Sequence, residues 1–467
     1  MAEPFDSATY LEDVSAVAQT QYFPDFTEET PKLFGQTTNR LFSLDMEEVV
    51  GTGKTLQFEL NRGDTVRFNS DPLGAFANPD AFQASSLTVR FNKQTTTSND
   101  FSEISASAQV DDIDVQEAGK GSIVDFVDRI YKAIMPEYEE RLAIHRWAPR
   151  TAIIGALDGS TVARNDSWYF SGATATASST NGLRGILASG SIAALRPGSR
   201  IDFLNPTTFA VNAGNCYVTD INPADKSFGV SFVSTGISTR ASTGNLANVG
   251  VSDKIVFSGE YNKGMYSMGA WFARPTAGES FMGGVDRSTS GYRWMLPTST
   301  REGSSSARIS KSMFNDLAIA MGWRSEDAQR GLVWISDPTI HQALRDEIGE
   351  EGFIPLPADS VMGKRYAQFG FTGLNYQHGQ FGVVKIESDP LAIPNTVRAI
   401  SLDTWKGLYY GWKGLRPVKE SGAHWYRMSD ATPASGRSKI WKADWYALQT
   451  DFCKMPWLNG QILNVTN

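Results

Sequence analysis

Residues 122–148 read SIVDFVDRIYKAIMPEYEERLAIHRWA, and the reading of this stretch decides the fold. Ser122 is placed to cap a helix, and Asp125 follows at capping-box spacing. Val127, Ile130, Tyr131, Ile134, Tyr138 and Leu142 then recur at three- and four-residue steps, which puts them on one apolar stripe. Pro136 should kink or restart the helix, and Pro149 ends it. A helix of this length spans about 40 Å. That exceeds a usual globular helix and suits a strut.

Upstream of the strut the period changes to two. Leu56, Phe58 and Leu60 alternate with Gln57 and Glu59; Val66 and Phe68 repeat the pattern, as do Leu87, Val89 and Phe91. Such alternation predicts strands with one buried face. Between them, residues 69–86 carry two prolines and a glycine and read as a long tip. Few apolar residues remain there for a local core, so residues 51–110 should protrude and pack on something else. Residues 1–50 read as an arm, helical over Tyr10 to Ala18 and broken at Pro24 and Pro31. The arm holds ten acidic and two basic residues, a local net of −8, whereas the remainder of the chain balances at 41 against 41. A solvated arm accounts for this, as does an arm steered by a basic surface on a neighbour.

Downstream, residues 158–190 are rich in Ser, Thr, Ala and Gly and read as loop. Residues 197–260 form a compact strand-rich unit. Its strands are expected at Ile201–Phe203, Tyr217–Ile221, Phe228–Val233 and Ile255–Phe257, with a turn at Asn222–Asp225. A small barrel or sandwich fits this spacing. Helix returns after Ser310, a candidate cap, with Met313, Leu317 and Ala320 on one stripe. Leu332 to Ile335 is a short strand, and Asp337-Pro338 opens a helix holding Ile340 and Leu344. Strands resume at Gly382–Glu387 and Val397–Leu402. The C-terminal part holds Trp405, Trp412, Trp425, Trp441, Trp445 and Trp457, and it alternates through Trp441, Ala443, Trp445 and Ala447. Core is the default reading of these tryptophans and subunit interface the other.

Composition excludes several classes. The chain has 467 residues, 41% apolar and 20% charged, which is ordinary for a folded soluble protein. No apolar run approaches the ~20 residues of a membrane helix, and the acidic start Met1 to Asp6 lacks the apolar centre of a signal peptide. A protein made and kept in the cytosol is expected. No basic domain stands out for duplex recognition. Cys216 and Cys453 allow one bridge arithmetically but no disulfide framework. His145, His341, His378 and His424 show no metal-ligand spacing, and no G-x-S-x-G elbow occurs. Gly51 to Thr55 imitates the end of a phosphate-binding loop, but Glu48 stands where the first glycine belongs and an alternating strand follows instead of a helix. No catalytic residue, cofactor or metal is expected.

The order of parts resembles the major capsid proteins of tailed phages, whose fold is named after phage Hong Kong ninety-seven. Local sequence carries the likeness too: Gly284, Asp286, Arg287 and then Trp294; Gly198 to Asp202 with Asp253 to Ile255; Lys385 to Pro390 with Ile400 to Trp405; and Cys453 to Ile462. The resemblance implies an α+β fold. It has an N-terminal arm (1–50), an extended loop (51–110), and a spine helix with peripheral domain (111–196). A β-rich insertion (197–260), a connecting peripheral segment (261–309), an axial domain (310–405) and C-terminal peripheral strands (406–467) follow. It implies a subunit of pentamers and hexamers in an icosahedral phage head enclosing double-stranded DNA, which it would contact without sequence preference. Scaffolding, portal and cement or decoration proteins are the implied partners, with no membrane. The implied location is the virion, assembled in the bacterial host's cytoplasm. Arg62, Arg67, Arg90 and Lys93 in the loop are candidates for intersubunit pairing with acidic neighbours, although simple solubility accounts for each equally well. An encapsulin-like compartment, a tail or baseplate protein and, remotely, a carbohydrate-active enzyme are the other readings.

Overall fold

The computed structural model describes residues 39, 46–49, 53–62, 83–92, 102–111, 134–158, 183–223, 226–231, 243–244, 246–250, 252–275, 281–282, 285–288, 295–322, 332–350, 374–378, 382–410, 414–417, 426–427 and 440–466. Residues 134–147 are helical, and the helix continues through Pro136. The first half of the expected strut, 122–133, lies outside the described residues. The apolar stripe predicts one buried face, yet every residue from Leu142 to Ala148 is buried, including His145 and Arg146. The reason is that three separate layers enclose this end of the helix.

The first layer is a sheet built on one long strand, Ile440–Cys453. Ser102–Asp111, Trp405–Tyr409, Arg416–Pro417 and Tyr426–Arg427 all pair antiparallel with it, and Met46–Glu48 lies parallel on Trp405–Tyr409. Ala443, Trp445 and Ala447 are buried, which makes these alternating positions core. Ser102–Asp111, read as part of a protruding loop, is instead anchored along this strand for ten register positions.

The second layer is a closed antiparallel barrel. Its ring runs Val211–Asn222, Arg200–Leu204, Lys254–Phe257, Gly155–Leu157, Leu183–Gly190, Ser227–Ser231 and back to Val211–Asn222. Phe203, Phe228, Ile201, Val218, Val230 and Cys216 are buried within its core. Two of these strands lie outside the expected unit, and Leu183–Gly190 corrects the reading of 158–190 as loop. Its sequence, LRGILASG, hides the strand because the packing demands small residues. A Cβ on Gly185 would come within 2.7 Å of the Leu157 side chain and 3.1 Å of the Phe228 ring.

The third layer is a mixed sheet in the order Thr298–Thr300, Gly460–Ile462, Val397–Ser401, Leu332–Ser336, Gly382–Ser388, Leu374–His378. Gly460–Ile462 was placed by sequence among the C-terminal peripheral strands, but it lies inside this sheet. Helices Lys311–Gly322 and Pro338–Glu350 cover one face. Asp337 caps the second helix, its Oδ1 accepting from the amides of Thr339 (2.7 Å) and Ile340 (3.0 Å). Ser310 does not cap the first helix through its side chain; its hydroxyl bonds that of Ser312 at 2.9 Å. Phe314 stacks on Trp334 with ring centroids 4.2 Å apart.

Strand parity divides this sheet between two cores. Leu332, Trp334, Val397 and Ala399 pack under the two helices. Val333, Ile335 and Ile400 belong to the other core, with Trp147, Phe272 and the barrel. Leu332–Ser336 reads as an unbroken apolar run because both its faces are buried.

The short helix Met268–Phe272 crosses the end of helix 134–147, and the crossing needs glycine. A Cβ on Gly269 would stand 2.1 Å from Ala148 O and 2.3 Å from Trp147 O. Gly269→Ala should therefore cost about 1–3 kcal/mol through overpacking against backbone, read as a lower urea midpoint with unchanged m value.

Candidate functional site

Gly53–Arg62 and Gln83–Asn92 pair antiparallel with each other along their full length, and neither pairs with any other described strand. Register places Leu56 opposite Val89, Phe58 opposite Leu87, Leu60 opposite Ser85 and Lys54 opposite Phe91. A two-stranded ribbon is marginal by itself. One with an apolar face needs a surface to lie on.

Of the four loop cations, Arg62 and Arg90 stand toward opposite ends of the ribbon. Arg62 is the last residue of its strand, opposite Gln83, while Arg90 lies opposite Thr55 near the other end. Arg67 and Lys93 lie outside the described residues. Of the family-like motif, Gly284 and Trp294 also lie outside. Asp286 makes a tight turn, its Oδ1 accepting from the Ser288 amide (2.9 Å) and hydroxyl (2.7 Å). The Ser288 hydroxyl, then its amide, holds the carboxyl below the usual range. Arg287 is fully buried, and its guanidinium donates to Trp271 O (2.9 Å) and Ala270 O (3.0 Å). It thereby serves carbonyls of the short helix Met268–Phe272 that have no helical partner. Its role in this structure is anchorage.

Helix 134–147 is tied to each layer by polar contacts. Arg146 Nε donates to Asp451 Oδ2 at 3.0 Å and Ser267 Oγ to the same oxygen at 2.5 Å, all buried. Arg146 also reaches Asn39 Oδ1 at 2.9 Å. Tyr138 OH donates to Gln449 Oε1 at 3.1 Å, and burial pushes its phenol above the usual tyrosine range. Toward the barrel, His145 Nε2 lies 3.0 Å from Glu260 Oε2, Arg141 lies 3.8 Å from the other carboxylate oxygen, and Arg196 pairs with Glu140 at 2.5 Å. Burial works to raise the Glu260 carboxyl, but the His145 hydrogen bond and the charges of His145, Arg141 and Lys263 outweigh it, so it sits below its ordinary value.

A carboxyl depressed in the folded state contributes stability above its unfolded pKa of about 4.3 and loses it as pH falls through the folded value. Amide exchange around residues 258–264 should therefore quicken as pH drops below ~4.3, after correction for intrinsic rates. Glu260→Gln should remove that added dependence.

Gly53 opens a strand where a phosphate loop would need a helix. Cys216 and Cys453 are free and buried. Burial pushes both thiols up, Cys453 to about 12. No group of three His, Cys, Asp or Glu residues suited to a metal occurs among the described residues. No described helix is long and apolar enough to cross a membrane.

Solved structures similar to this chain include phage capsids and an encapsulin. The cyanophage A-1(L) capsid asymmetric unit matches at 9% identity and a TM-score of 0.48, covering 94% of this chain and 95% of its own. The capsid of a native GTA particle matches at 9% and 0.38, covering 97% and 99%. The holo-SrpI encapsulin complex from Synechococcus elongatus PCC 7942 matches at 9% and 0.36, covering 96% and 94%. No family model and no curated protein matches the chain.

Several structurally decisive residues carry no local sequence signal. Asp451 lies 305 positions from Arg146, and Gln449 lies 311 from Tyr138. Arg398 sits on a strand with the pattern VRAIS, where the charge would read as solvent-facing, yet it is 4% exposed.

Proposed function

We propose that this chain is the major capsid protein of a tailed phage, assembling as pentamers and hexamers into an icosahedral head around double-stranded DNA. One observation carries the reading. The ribbon 53–62/83–92 pairs with no other described strand, and its sequence alternates Leu56, Phe58 and Leu60, and Leu87, Val89 and Phe91, with polar residues. A repeated contact of the ribbon with the next copy turns many modest interfaces into one cooperative ring. The ribbon is joined through Ser102–Asp111 to the long C-terminal strand, so a load on it passes directly into the subunit's core.

Enclosed DNA is held through nonspecific, salt-sensitive phosphate contacts. Scaffolding, portal and decoration proteins complete assembly in the bacterial cytoplasm, and Arg62, Arg67, Arg90 and Lys93 are available for pairing with acidic residues of adjoining copies. The full chain, expressed with and without a scaffolding protein from the same genome and viewed by negative-stain microscopy, should give rings or closed shells. A strictly monodisperse monomer under both conditions would falsify the reading.

A further inference from the structure

Ser102–Asp111 pairs with Ile440–Cys453 along one edge over ten register positions, and no described strand pairs with its other edge. In an antiparallel ladder alternate residues turn both backbone groups toward the same neighbour, so about five of these residues turn theirs outward. Glu103, Ser105 and Ser107 are exposed, and Ile104, Ala106 and Ala108 are half-buried. Long edges are ordinarily protected by lysine, proline or a bulge. This strand, SEISASAQVD, has no lysine and no proline, and its register on Ile440–Cys453 runs without a shift. Its centre, Ile104-Ser105-Ala106-Ser107-Ala108, is nearly the same read in either direction. A two-fold contact demands such self-complementarity. Turning a second copy about an axis at Ala106 sets Ala106 on Ala106, Ser105 on Ser107, Ile104 on Ala108 and Glu103 on Gln109. The acidic residues avoid one another in that register, whereas an axis at Ser107 would set Glu103 against Asp111.

We propose that the outer edge of Ser102–Asp111 joins the same edge of a second copy, antiparallel about a two-fold axis at Ala106, so that one sheet runs through both subunits. Backbone hydrogen bonds supply the attraction. The small Ser and Ala side chains let the two strands close to about 4.8 Å. This surface is separate from the ribbon 53–62/83–92, which pairs with neither Ser102–Asp111 nor its partner strand. A single strand pair is small beside a standard interface. The contact is therefore transient in the free chain and firm where further contacts hold the copies together. Its place in a shell rests on the capsid reading above, but the open edge belongs to one folded subunit.

The test is disulfide trapping in the full-length chain. Cys216 and Cys453 are buried, which keeps the background silent. Directly opposite residues have Cα atoms about 4.5–5.5 Å apart, inside the disulfide range. Ala106→Cys should therefore give a disulfide-linked dimer on mild oxidation, either of the free chain at high concentration or of any particles formed. Glu103→Cys, whose twin would stand about 20 Å away, should give none. Should Ala106→Cys not fold, the exposed positions decide: Ser105→Cys and Ser107→Cys chains should link when mixed and not when oxidised separately. No link from Ala106→Cys, or from the mixture where that is used, overturns the proposal. So does a link from Glu103→Cys as strong as that from Ala106→Cys. Shells that form without the link leave the capsid reading standing and sink this one, whereas a link without shells does the reverse.

Discussion

Replacing residues 53–92 by a short Gly-Ser linker is expected to abolish particle formation and leave a folded subunit. The ribbon contributes no strand pairing to any other described sheet, so its removal leaves all three layers paired as before. Its apolar face is another matter. Burying a Leu or Phe side chain stabilises by roughly 1.5–3 kcal/mol, so Leu56, Phe58, Leu60, Leu87, Val89 and Phe91 amount to the order of 10 kcal/mol of gross contact per copy. Ordering costs take back part of this, but every copy in a ring would lose the same contact at once. Near-UV circular dichroism should keep the signal of the buried tryptophans, and sedimentation should show monomer. Normal shells from this variant would remove the ribbon from the assembly interface.

Asp451→Ala should be the most damaging single substitution in the core. Asp451 accepts from Arg146 and Ser267, and both ion-pair side chains are only 3% exposed. Removing the carboxylate takes the charged partner from a buried guanidinium, which keeps Asn39 Oδ1 among its acceptors. Breaking a buried pair in this way costs about 3–5 kcal/mol, visible as a large fall in the urea midpoint or as insoluble protein. The double substitution Arg146→Met with Asp451→Leu should recover most of that loss, because it removes both charges and keeps the volume. If the double variant were no better than Asp451→Ala, shape at the junction and not charge would be the controlling factor.

What the sequence made legible was local. Asp337-Pro338 announced a helix start, and the structure places the cap there. Alternation through Ala443, Trp445 and Ala447 announced a strand with a buried face. The period-two runs around Phe58 and Val89 announced the ribbon. What stayed hidden was set by distant partners. Leu183–Gly190 carries Gly185 and Gly190, where its neighbours in the barrel leave no room for a Cβ, and these glycines give it the look of a loop. Ser102–Asp111 alternates Ile104, Ala106, Ala108 and Val110 with polar residues, as a strand does, but its partner, Ile440–Cys453, lies more than 300 positions away. Gly460–Ile462 crosses to the mixed sheet, which no local pattern near the C-terminus could announce. The site divides the same way. The ribbon's apolar face was readable from spacing, whereas the burial of Arg287 and Arg398 depends on backbone carbonyls and aromatic rings supplied from elsewhere in the chain.

The mixed sheet is a party wall, and that limits how such a chain can be recombined. Its two central strands contribute alternate side chains to two different interiors: Trp334 and Ala399 to one, Ile335 and Ile400 to the other. A graft that exchanged the two helices and the strands beneath them for those of a distant relative would carry half of the neighbouring interior with it. Chimeras should therefore succeed only when the donor segment includes the tenants on both sides of the wall, or when the cut keeps all six strands native.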